Sequence, residues 1–273
     1  EMCIRDSNYG VRFTLADGQR EVTKYPNESG DINTWYAGKL DGTIWGYTTV
    51  GIAQTQEEMD AHLANNKPNW GSKWGAGDVM YADLNGDGEV TSGSSTLGDH
   101  GDLTVIGNSY ARYNFGLTLD GSWKGLDFSV FLQGVMKRDY WLSGPYFWGA
   151  SGDEWQSACF TEHLDYWTPD NPDAYYPKPY FGGITKNQQV QTGYLQNAAY
   201  LRVKNVQIGY TLPKSWTQKA SMESVRFYVS GDNLLTLTGI SAIFDPETLG
   251  GDWGPGKLYP LQRTISVGVN VNF

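Results

Sequence analysis

Residues 264–273 read Thr-Ile-Ser-Val-Gly-Val-Asn-Val-Asn-Phe, an unbroken alternation of apolar and polar side chains that closes on an aromatic. Successive strand side chains face opposite sides. Ile265, Val267, Val269, Val271 and Phe273 therefore share one face, and Ser266, Gly268, Asn270 and Asn272 share the other. A half-buried strand of a soluble domain has the same period. Repetition supplies the constraint: further runs of about ten residues carry the same two-faced pattern, which is the signature of strands that cross a bilayer with one side to lipid and one to a lumen.

Four more such runs are legible, at 112–123, 126–136, 200–212 and 224–237, with the last strand at 262–273. Tyr113, Phe115, Leu117, Leu119 and Trp123 oppose Asn114, Gly116, Thr118, Asp120 and Ser122. Only Lys124-Gly125 separates this run from the next, which is hairpin spacing. In 200–212 the phase slips after Val203, and a β-bulge near Lys204-Asn205 is expected. A shorter run at Val11, Phe13 and Leu15 ends at the turn signal Asp17-Gly18. One helix is expected over 56–63, with Thr55 as its N-cap and Glu58 completing a capping box. Short and long connections alternate down the chain, as in an up-and-down membrane barrel whose short turns are periplasmic and long loops extracellular. The expected fold is thus all-β: part of a transmembrane antiparallel up-and-down β-barrel with long extracellular loops. Residues 1–7 have no period and read as a non-native leader. Residues 8–110 read as a strand followed by an extracellular loop region, and 111–273 as barrel strands with further loops.

Composition narrows the function. A formal charge of −10 over 273 residues opposes nucleic-acid binding, which needs a basic stripe to neutralise phosphates. No apolar run reaches the ~18 residues of a membrane helix, and a mean hydropathy of −0.47 says nothing against a barrel. Cys3 and Cys159 are too few for a disulfide framework and lack metal-ligand spacing. His62, His100 and His163 lie in separate segments, so no catalytic or zinc constellation is expected. Asp153 and Glu154 are adjacent, and neighbouring carboxylates rarely face one cleft as a glycosidase pair. No enzyme activity is expected.

A series of landmarks adds to this reading. Gly77-Asp78, Val105-Ile106-Gly107-Asn108, Tyr166-Trp167-Thr168-Pro169-Asp170-Asn171-Pro172 and Tyr200-Leu201-Arg202-Val203-Lys204-Asn205-Val206 occur in that order. Val229-Ser230-Gly231-Asp232-Asn233-Leu234, Asp245-Pro246-Glu247 and the terminal Phe273 follow. The ordered series resembles the SusC/RagA-type TonB-dependent outer-membrane transporters. That resemblance implies the C-terminal part of a longer protein in the outer membrane of a Gram-negative bacterium. It also implies import of oligosaccharides or peptides with a SusD-like surface lipoprotein, energised by the TonB system through segments outside this chain.

Two groups of side chains are candidate sites. Asp83, Asn85, Asp87 and Glu89 alternate around Gly86 and Gly88, the pattern by which a loop wraps Ca²⁺ in a structural role. The twelfth position of such a loop holds Ser94 rather than a carboxylate. The resemblance points instead to Asp102, ahead of Val105-Ile106-Gly107, as the closing ligand, while the same residues also make a plain turn without metal. The second group is aromatic: Trp141, Tyr146, Trp148, Trp155, Trp167 and Tyr176 lie in one long connection. They are candidates for contact with substrate or partner, against the alternative that they pack among themselves. The competing reading of the whole chain is a secreted β-sandwich carbohydrate-binding module with structural calcium.

Overall fold

The computed structural model describes residues 7–149, 159–180, 186–250 and 256–273. Six antiparallel strands form one sheet: β1 (Ser7–Ala16), β2 (Arg112–Trp123), β3 (Leu126–Lys137), β4 (Tyr200–Thr211), β5 (Ser224–Thr238) and β6 (Thr264–Asn272). Their spatial order is their chain order, the meander of an up-and-down wall. The wall is an open section, with β1 and β6 at its two edges. Lys124 and Gly125 join β2 to β3 with φ of 49° and 87°, the two positive values that a type I′ turn requires. Register shifts between Val203 and Asn205 on β4, where the alternation changes phase. Two residues of β5, Asn233 and Leu234, face that single extra residue, and Asn233 takes φ 52°.

Register carries each apolar side chain into line with its neighbours. One row crosses the whole sheet as Tyr9, Gly121, Phe128, Ile208, Val229 and Val267. The next runs Val11, Leu119, Val130, Val206, Gly231 and Ile265. This face is uncovered: Ile208, Val229 and Val267 are 53%, 50% and 78% exposed. The opposite face is polar, with the row Gly10, Asp120, Ser129, Gln207, Ser230 and Ser266.

The buried core lies elsewhere. All three long connections leave the sheet at the same end, and together they form a single packed body. Tyr47, Val79 and Tyr81 come from the first connection, Leu142, Phe147, Trp148 and Tyr194 from the second, and Ile240, Phe244 and Leu249 from the third. Each such burial contributes about 1.5–3 kcal/mol, so the connections are held by the force that ordinarily holds strands and helices together. Short ladders stiffen the body: Thr43–Gly46 pairs with Thr104–Asn108, and Thr49–Ile52 with Val79–Tyr81. The longest helix among the described residues, Gln56–Leu63, is capped by the Thr55 hydroxyl, which accepts from the Glu58 amide at 3.1 Å. Glu58 returns a bond to the Gln54 amide at 2.6 Å, one residue earlier than a standard capping box. Among the described residues no helix is long and apolar enough to cross a membrane, which leaves strands free to do so.

The third connection is pinned to the wall by charge. Arg202 on β4 meets Asp245 at 2.9 Å and Glu247 at 2.7 Å, and Lys204 meets Glu247 at 2.9 Å. Asp245 also accepts from the amides of Glu247 and Leu261.

Candidate functional site

A cleft of about 580 Å³ opens in the loop body between residues 73–76 and 166–180. Its two sides are stitched at close range. Gly77 sits at φ 88°, and a Cβ there would come within 2.4 Å of the Trp167 ring, so glycine alone permits the approach. The Lys178 amide donates to the Gly77 carbonyl at 2.8 Å, and the Trp167 indole donates to Gln54 Oε1 at 2.8 Å. Behind the cleft lies a buried ion pair. Lys186 Nζ stands 2.6 Å from Asp78 Oδ2, donates to the Lys73 carbonyl at 2.7 Å and lies over the rings of Trp74 and Tyr180. Asp78 is completely buried and also accepts from the Gly75 amide at 2.7 Å and from Asn187 Nδ2 at 2.9 Å. Both charges are paired and bonded, the condition under which a buried pair is tolerated. Burial pushes the Tyr180 phenol upward, with the Asp78 carboxylate adding to the effect, so the ring stays neutral across the physiological range. Lys186 and Asn187 carry no sequence signal. Only the Gly77-Asp78 landmark marked the other half of the pair.

The candidate aromatics divide by location. Trp148 and Tyr176 are buried, each only 6% exposed, and they surround Phe147 edge-on at centroid distances of 5.0 and 5.7 Å. Trp148 also meets Tyr194 at 4.8 Å. These two rings pack in the core that the three connections share, and both also border a smaller cavity of about 220 Å³. Trp141 and Tyr146 are half-buried against that core. Trp167 is buried as well, yet its edge lines the cleft. Trp155 lies outside the described residues.

The acidic loop is closed by main-chain hydrogen bonds. Asp102 is completely buried behind it and accepts from the amides of Leu84 at 2.6 Å, Asn85 at 3.3 Å and Thr91 at 2.7 Å. Asp83 accepts from Gly86 at 2.6 Å and Gly88 at 2.8 Å, and these bonds, that from Gly88 first, hold its carboxyl below the usual carboxylate range. Asn85 and Asp87 bond each other, while Glu89 is exposed with its amide given to Asp87. The structure gathers the five residues expected to hold calcium, but among the described residues no three carboxylates, histidines or cysteines converge on one point. As folded, the carboxylates of Asp83, Asp87 and Asp102 accept from main-chain amides of the loop.

No protein-family model matches the chain. Among curated proteins, TonB-dependent receptor P3 of Formosa agariphila is 28% identical over 251 residues, covering 86% of this chain and 22% of the receptor. TonB-dependent receptor P26 of the same organism is 28% identical over 242 residues, with 84% and 22% covered. The chain therefore spans 22% of the length of these relatives. Among solved structures, the RagAB peptide transporter superposes with a TM-score of 0.67 at 22% identity, covering 98% of this chain and 28% of that one. The open-open state of the RagAB peptide importer gives 0.66 at the same identity. The chain is thus similar in sequence to TonB-dependent receptors and in fold to a section of the RagAB transporter.

Proposed function

We propose that the chain is a section of a TonB-dependent importer in the outer membrane of a Gram-negative bacterium. Its strands form part of the barrel wall and its loop body faces the outside. The observation that carries this reading is the uncovered apolar face, continuous across all six strands, beneath connections that are long at one end only. Lipid satisfies such a face, and water does not. A secreted sandwich would cover it with a second sheet, and the described residues supply none. The loop body is where a SusD-like lipoprotein would close over the mouth, and oligosaccharides or peptides are the cargo. We assign the chain no reaction of its own, in keeping with relatives named as receptors.

The test is topological and uses the full-length protein. A cysteine at exposed Asp173 in the loop body should react with an impermeant maleimide on intact cells. A cysteine at exposed Ser215, between β4 and β5, should react only after the outer membrane is permeabilised. Labelling of Ser215→Cys on intact cells would reverse the orientation.

A further inference from the structure

We propose that the cleft between residues 73–76 and 166–180 binds an acidic peptide. The proposal names a cargo class for the importer described above and rests on that reading, although binding itself does not require uptake. The chain carries a net charge of −10, yet the described residues lining this cleft include Lys73 and Lys178 and not one carboxylate. Neither lysine forms an ion pair among the described residues. Both are exposed at the mouth. The third cation nearby, Lys186, is already neutralised by Asp78. The cleft is thus a local positive site on a strongly negative protein, and it attracts anions. Its volume is of the size that small ligands occupy.

The lining favours peptide over sugar. Sugar recognition by aromatics uses flat ring faces, and of the four rings at this cleft three are engaged, the exposed Tyr166 being the exception. Lys186 lies over both Trp74 and Tyr180, Lys178 sits 5.6 Å from the Tyr180 centroid, and Trp167 is buried with its indole N–H committed. Lys73 holds a left-handed backbone at φ 55°, a strained conformation of the kind found at ligand clamps, and it turns the chain at the rim.

Purified full-length protein is titrated with a short fluorescent glutamate-rich peptide and with its glutamine counterpart. The glutamate peptide should bind more tightly, and added salt should weaken it. Lys73→Gln and Lys178→Gln should each weaken it about two- to fivefold while leaving the glutamine peptide unchanged. Lys178→Glu should shift preference toward a lysine-rich peptide. Melting temperatures equal to the parent protein's would show that the variants fold. Equal affinity for the two peptides would overturn the proposal. So would unchanged binding by both folded glutamine variants, or tighter binding of an oligogalacturonate than of the glutamate peptide. Uptake is measured separately in cells: a peptide bound in the cleft but never imported would sink the importer reading and leave the cleft assignment standing.

Discussion

Arg226 on β5 grips Asp127 on β3 across the strand that separates them. Its Nε and Nη2 reach the two carboxylate oxygens at 2.9 and 2.5 Å. Gly209 on β4 makes the crossing possible, since a Cβ there would stand 2.4 Å from Arg226 Nη2. The three strands are thereby tied on their polar face by a two-pronged pair, the strongest geometry an arginine and a carboxylate adopt. Arg226→Gln should lower the stability of the full-length barrel by about 1 kcal/mol, because the pair is partly exposed. The drop should appear as a lower transition temperature in a heat-modifiability gel. Gly209→Val should do at least as much, and a transition unchanged in both variants would reduce the pair to decoration.

The buried charges behind the cleft have a harsher dependence. Lys186→Met leaves Asp78 buried without its counter-ion and should cost about 3–5 kcal/mol. The loss should be confined to the loop body, with faster protease cleavage there while the barrel still runs as a folded band. Resistance equal to the parent protein's would mean that the amides of Gly75 and Asn187 suffice for Asp78.

Asp102 should matter whether or not metal is present. Asp102→Ala removes the acceptor of three amides and leaves buried donors unmet, at about 1–3 kcal/mol. Melting of parent and variant is compared in Ca²⁺ and in chelator. The variant should melt lower in both. Calcium bound by Asp83, Asn85, Asp87, Glu89 and Asp102 remains a proposal from the sequence, and a parent protein strongly stabilised by Ca²⁺ would favour it.

Acid should free the third connection. Burial pushes the Asp245 carboxyl up, but the Glu247 and Leu261 amides and Arg202 outweigh it, so its folded pKa is lowered. A carboxyl lowered on folding contributes stability above its unfolded pKa of about 3.9, and this is lost as pH falls through the folded value. Hydrogen exchange in residues 240–249, corrected for the intrinsic pH effect, should therefore rise only in strong acid. Asp245→Asn should show the rise at neutral pH. Acid-independent exchange in the parent protein would contradict the pinning.

The wall was legible because its causes are local. Alternation at 264–272 and the pair Lys124-Gly125 state strand faces and a turn within a few residues, and the phase slip at Val203 announces its own bulge. The cleft was illegible because its causes are distant. Asp78 and Lys186 are remote in sequence, and neither has a neighbour that foretells the pair. The abundance of aromatics between β3 and β4 fitted packing, the reading favoured for any single ring, as well as contact. Burial of Trp148 and Tyr176 depends on Tyr194 and Phe244 arriving from other segments, which no single window of sequence contains.

Tyr47, Trp148 and Phe244 share one core, yet the chain crosses the sheet four times between the first and the last of them. Contacts of such separation form only after the intervening strands have paired, since loop closure over long segments is slow. The loop body is therefore a late-setting seal that reports on the wall beneath it. A one-residue slip of β4 turns every side chain to the opposite face. It would carry Arg202 away from Asp245 and Glu247 and unseat the third connection from the core. Strand register and loop order then succeed or fail together, and a mispaired wall would expose its error as an unsealed cap.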